Sequence, residues 1–136
     1  MKDINTLESV QRKFTKRVPG MFEKSYGERR ATLGLKTLEN RRLRNDLVMC
    51  FRVLNGLIDV DFHDFFDFNR GRHLRGHCQK LVVPKFRKNC RKFDFACRVI
   101  NSWNSLPEEV IESPTLPCFK RKLNTVDLSR FLHYHD

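Results

Sequence analysis

Two histidines and three cysteines, His73, His77, Cys78, Cys90 and Cys97, share one stretch of the chain and are residue types that bind zinc. Structural zinc usually draws on close pairs such as Cys-x-x-Cys, in which one turn supplies two ligands, and no such pair is present. Burial against an apolar helix face explains Cys97 better. Asp59, Asp61, Asp64 and Asp67 are a second candidate metal set. They alternate with Val60, Phe62, Phe65, Phe66 and Phe68, which predicts an amphipathic turn pressing its rings inward rather than a rigid platform for two metals. Glu108-Glu109 falls in a Pro-started helical turn, where acids complement the dipole without catalytic work. The sequence has no phosphate-cradling Gly-rich loop with Lys-Ser or Lys-Thr, no Gly-x-Ser-x-Gly elbow and no His-Glu-x-x-His pair. The expectation is that this chain alone is not an enzyme and carries no cofactor of its own.

Phosphate recognition is the chemistry that the charges favour. The 136 residues hold 27 Lys and Arg against 16 Asp and Glu, a net charge of +11. Between residues 70 and 98 stand Arg70, Arg72, Arg75, Lys80, Lys85, Arg87, Lys88, Arg91, Lys92 and Arg98, with Asp94 the only acid, so this segment carries +9 of the excess. A localised excess is what a backbone-binding patch requires, because Arg engages two phosphate oxygens at once and each neutralised phosphate releases counterions. Gly71 and Gly76 let the backbone approach closely. RNA or DNA is the expected partner; the alternative is a solvated basic loop whose charges aid solubility. Arg12-Lys13 with Lys16-Arg17, and Arg41-Arg42 with Arg44, read as wet helix faces, with Arg42 pairing Asp46 at i,i+4.

The elements that position this segment are helical. Ile4, Leu7, Val10, Phe14 and Val18 recur at steps of three and four, predicting a helix over 4–18 with those residues inward, Asn5 and Glu8 at its cap and Pro19-Gly20 as its stop. Ser25-Tyr26-Gly27-Glu28 has capping-box spacing and opens a short helix that ends at Gly34. The longest helix spans about Leu38 to Leu54, with Leu43, Leu47, Phe51 and Leu54 buried. Helical periodicity then lapses from Arg70 to Asn89, where Leu81-Val82-Val83-Pro84-Lys85-Phe86 has the β-branched content of a short strand, confined by Pro84 to an edge. Helix returns over Arg91 to Leu106 with Ala96, Val99, Ile100, Trp103 and Leu106 inward. A brief turn follows Pro107, with Glu108 reaching back to its cap, and a last helix starts at Ser113-Pro114 and carries Leu116, Phe119, Leu123 and Val126.

The predicted fold is therefore mainly α, a small helical domain of about five to six helices with a short basic strand or hairpin insertion. It reads as one domain over 1–136: helical at 1–58, Phe-rich and basic at 59–90, helical again at 91–128, with a frayed tail at 129–136. Five cysteines at irregular spacing suit free thiols, and no apolar run approaches a membrane span, so an intracellular protein, nuclear or cytoplasmic and without membrane contact, is expected.

A family resemblance adds to this reading. Leu7-Glu8-Ser9-Val10-Gln11-Arg12-Lys13-Phe14-Thr15-Lys16-Arg17, Tyr26-Gly27-Glu28-Arg29, Leu33-Gly34-Leu35 and Leu38-Glu39-Asn40-Arg41-Arg42-Leu43-Arg44-Asn45-Asp46-Leu47 resemble the C-terminal end of reverse transcriptases from jockey-like non-LTR retrotransposons. The similarity continues through Asn55-Gly56, Asp64-Phe65-Phe66, Arg75-Gly76-His77, Phe119-Lys120 and, most specifically, Arg98-Val99-Ile100-Asn101-Ser102-Trp103-Asn104-Ser105-Leu106-Pro107. The resemblance implies an RNA-directed DNA polymerase whose catalytic Tyr-x-Asp-Asp motif, with its Mg2+, lies upstream; this sequence contains no such motif, so no catalytic residue carries over. It implies a post-thumb module that helps hold template RNA or target DNA beside the upstream polymerase body. A rival reading from a different class is a small protein-interaction module that docks through the Phe-rich turn and the Leu38 to Leu54 helix.

Overall fold

A computed structural model describes residues 2–71, 75–83 and 95–134. Among them the chain is mainly helical: α1 (Lys2–Lys16), α2 (Tyr26–Leu33), α3 (Leu38–Leu54), α4 (Phe95–Asn104), α5 (Glu108–Ile111) and α6 (Leu116–Thr125), with short 3-10 turns at Phe62–Asp64 and Ser129–Phe131. The expected strand is reduced, among the described residues, to one antiparallel bridge between Phe68 and Leu81; residues 84–86 of that expectation lie outside them. The chain divides into two compact units, Met1–Leu43 with Leu128–Asp136, and Arg44–Asp127.

In the first unit the sequence pattern of α1 misleads. Leu7, Val10 and Phe14, expected inside, are 59%, 64% and 68% exposed, while Glu8 and Thr15, roughly a third of a turn further round the helix, are buried. The cause is polar. Arg29 of α2 is itself buried, and its guanidinium donates to Thr15 Oγ1 at 3.1 Å and to the Arg12 carbonyl at 3.3 Å. Glu8 accepts from the Tyr26 hydroxyl and from the Leu38 amide at 2.8 Å. Buried polar groups must be partnered, and only the polar face of α1 supplies these partners. Glu8 therefore serves the interior and not the predicted helix cap, and α1 begins earlier, at Lys2.

Local signals elsewhere hold. Ser25 and Glu28 form the reciprocal capping box, at 3.3 and 2.7 Å, and Gly34 closes α2 with φ +64°, a left-handed conformation that favours glycine. Thr37 Oγ1 accepts from the Asn40 amide at the start of α3. Of the segment read as a frayed tail, residues 129–134 are described: Glu39 accepts from the His133 and Tyr134 amides at 2.9 and 2.8 Å, and the Tyr134 hydroxyl accepts from Arg12.

The second unit is an aromatic-aliphatic core. Leu47, Cys50 and Phe51 of α3, Val99, Ile100 and Trp103 of α4, and Phe119 and Leu123 of α6 are all buried. Phe51 stacks on Phe119 with centroids 4.3 Å apart, and Trp103 lies 6.1 Å from Phe119. The Phe-rich turn presses Phe66 inward, 5.9 Å from Phe95, while Phe62 stacks on Phe68. Arg44 donates to the Leu123 and Val126 carbonyls at the end of α6, where a cation complements the dipole. Asp46 accepts from Arg98 at 2.7 Å, in place of the expected i,i+4 partner Arg42; a half-buried acid is better served by a cation brought in from α4 than by an exposed one on its own helix. One predicted start shifts: Thr115, not Ser113, caps α6 by accepting from Cys118 N. α5 starts after Pro107 as expected, but without the side-chain cap read for Glu108.

Candidate nucleic-acid interface

The basic loop is built from its base upward. Asn69 N–H donates to the Lys80 carbonyl at 2.7 Å and Val82 N–H to the Asp67 carbonyl at 2.8 Å, which closes the segment on either side of the Phe68–Leu81 bridge. The end of α4 then grips the closed base. Asn104 Oδ1 accepts from Leu81 N–H and Asn104 Nδ2 donates to the Leu81 carbonyl, both at 2.8 Å, so one side chain satisfies both backbone groups of a buried residue. Trp103 Nε1 donates to the Gln79 carbonyl at 2.9 Å. The buried His77 ring places Nε2 3.1 Å from the Trp103 carbonyl, which makes Nε2 the protonated nitrogen. Burial pushes the His77 pKa down; the Trp103 carbonyl opposes this and nearby Lys80 adds to it.

Lys80 donates its ammonium to the carbonyl of Asn104, the last residue of α4, a C-terminal cation in the favourable position. Gly76, at φ +97°, runs so close to Lys80 that a Cβ there would meet Nζ at 3.0 Å. Its glycine serves both the left-handed backbone and the path of the lysine.

The ten predicted contact residues thus have different fates. Arg70 and Arg75 are exposed, and Asn69 Oδ1 accepts from Gly71 N–H at 3.2 Å beside the first of them. Lys80 and Arg98 are engaged within the protein, with Asn104 and Asp46. Arg72, Lys85, Arg87, Lys88, Arg91 and Lys92 lie outside the described residues. Sequence reasoning missed Trp103, Asn104 and His77 as the anchors of the loop, although Asn-x-Trp-Asn had stood out as the most specific motif. Solvent-facing cations also stand elsewhere: Lys13, Lys16, Arg17, Arg41, Arg42, Lys120 and Arg121 are exposed.

The metal candidates that are described stand apart from one another in the sequence pattern's two sets. Asp61 caps the 3-10 turn by accepting from His63 N at 2.8 Å, Cys78 is exposed and Cys97 half-buried. Among the described residues no group of three or more His, Cys, Asp or Glu is placed to hold a metal ion; His73 and Cys90 lie outside them. No described helix is long and apolar enough to cross a membrane. The chain matches no family model, no curated protein and no solved structure.

Proposed function

We propose that the chain is a non-catalytic module that binds the sugar-phosphate backbone of RNA or DNA, with the segment 70–98 as its contact surface. The observation that carries this reading is the concentration of +9 of the +11 net charge in that segment, where Arg70 and Arg75 face solvent on a loop held at its base. Arg suits bidentate phosphate contact. The family resemblance points the same way: the chain reads as the C-terminal piece of a non-LTR retrotransposon reverse transcriptase, acting inside the cell, in nucleus or cytoplasm, beside a polymerase body that carries the Tyr-x-Asp-Asp motif and its Mg2+.

The test is binding of fluorescently labelled single-stranded RNA and duplex DNA to the wild-type chain and to a variant carrying Arg70→Gln, Arg72→Gln, Arg75→Gln, Arg87→Gln and Lys88→Gln. The variant should bind at least tenfold more weakly at 0.1 M salt. Equal binding by a variant folded as the wild type overturns the assignment of the contact surface.

A further inference from the structure

The exposed face of α1 is the molecule's most anomalous surface. Leu7, Val10 and Phe14 are each more than half exposed, although a helix that buries one face normally turns its apolar side chains toward it. Their spacing is regular. Asp3, Leu7, Val10, Phe14 and Arg17 follow one another at steps of four, three, four and three, the alternating spacing that keeps a seam facing a partner helix. Arg17 lies just past the last residue of α1 and continues its curl, its N–H donating to the Phe14 carbonyl at 3.0 Å. Asp3 and Arg17 are exposed too. The seam is therefore three apolar side chains bracketed by an acid at one end and a base at the other.

That order is complementary to itself reversed. Two copies laid antiparallel place Leu7 near the other copy's Phe14, Val10 near its own counterpart, and each Asp3 near the other copy's Arg17. A parallel arrangement would instead oppose acid to acid and base to base. We propose that this face of α1 is an interface with a second copy of the chain, formed by an antiparallel pairing of the two α1 helices with two-fold symmetry. Only about two heptads are available, well short of the roughly 800 Å² per partner of a standard interface, so the dimer is weak, with a dissociation constant on the order of 100 μM. Each copy also carries +11, and the long-range repulsion between copies is screened by salt. The same salt screens the two Asp3–Arg17 pairs, so self-association responds to salt much less than phosphate binding does.

Sedimentation equilibrium of the full chain at 10 μM to 1 mM, in 0.05 and 0.5 M NaCl, tests this. The wild type should dimerise at both salts. Val10→Asp, at an exposed position, should be monomeric throughout while keeping its circular dichroism spectrum. Asp3→Arg alone and Arg17→Asp alone should each weaken association about tenfold, and the double swap Asp3→Arg/Arg17→Asp should restore it to within about twofold of wild type, although both changes oppose the helix dipole. A monomeric wild type at 1 mM in both salts, Val10→Asp associating as the wild type does, or a double swap no better than the single ones overturns the proposal.

Discussion

The indole N–H of Trp103 and the carbonyl oxygen of Gln79 are joined at 2.9 Å across 24 residues of sequence, and this bond ties the buried core of α4 to the base of the basic loop. Asn104, the next residue, pairs with both backbone groups of Leu81. Loop and core are therefore one structural problem: the residues that fill the core also aim the loop.

Asn104→Ala leaves the N–H and C=O of buried Leu81 without these partners. Such losses cost about 1–3 kcal/mol each when water cannot reach the groups, so we expect a destabilisation of about 2–4 kcal/mol in urea unfolding. Hydrogen exchange localises the effect: the Leu81 amide should lose protection more than amides in α3. Trp103→Phe keeps most of the apolar bulk and should cost less at Leu81 while freeing the Gln79 carbonyl.

Glu8 is the polar centre of the first unit. It accepts from Tyr26 and from Leu38 N–H, so Glu8→Ala strands two buried donors and should destabilise the chain by about 2–4 kcal/mol. Tyr26→Phe removes one partner of that pair and should cost about 1–2 kcal/mol. By contrast, Leu7→Ala should change stability by well under 1 kcal/mol, because a side chain 59% exposed loses little burial. A conventional inward-facing stripe would reverse that order.

Two groups make stability depend on pH in opposite windows. His77 is held below its usual value of 6.5, chiefly by burial. The unfolded chain then binds the proton more readily than the folded one, and stability present above pH 6.5 falls as pH drops from there toward the lowered folded pKa. Tyr26 is pushed from 10.0 up to about 12, chiefly by burial and then by its hydrogen bond to Glu8. The unfolded chain there loses its proton first, so stability present below pH 10 falls as pH rises from 10 toward 12. Urea midpoints against pH should show both slopes, the acid one reduced in His77→Gln and the alkaline one in Tyr26→Phe.

How much of this was legible in the sequence depended on whether the signal was local. Ser25 with Glu28, Gly34, and the span of α3 were readable because caps and left-handed stops act within one turn. The core residues Val99, Ile100, Trp103, Phe119 and Leu123 were readable because their helices follow the ordinary apolar period. The orientation of α1 was not, because Arg29 and Tyr26, distant in sequence, supply the partners that turn its polar face inward. The ten cations proposed for the contact divide in the same way. Arg70 and Arg75 are exposed, but the capture of Lys80 by Asn104 and of Arg98 by Asp46 depends on the approach of separate segments, which charge counting cannot see.

The thiols should separate by burial. Cys50 is fully buried and its thiol is pushed far up by that burial, whereas Cys78 is exposed. Thiolate is the reactive form, so labelling with a chromogenic disulfide should lose a fast phase in Cys78→Ser and keep its fast phases in Cys50→Ser, with Cys50 reacting only on unfolding.

The most direct test of the central claim is the salt dependence of nucleic-acid binding. If about five cations of the 70–98 segment displace counterions from a single strand, log affinity should fall against log salt with a slope of roughly −3 to −4, whatever the base sequence of the probe. Replacing Arg70 and Arg75 by Gln should flatten that slope by about 1 to 1.5. Binding that ignores salt, or a slope unchanged by these two substitutions, contradicts the account.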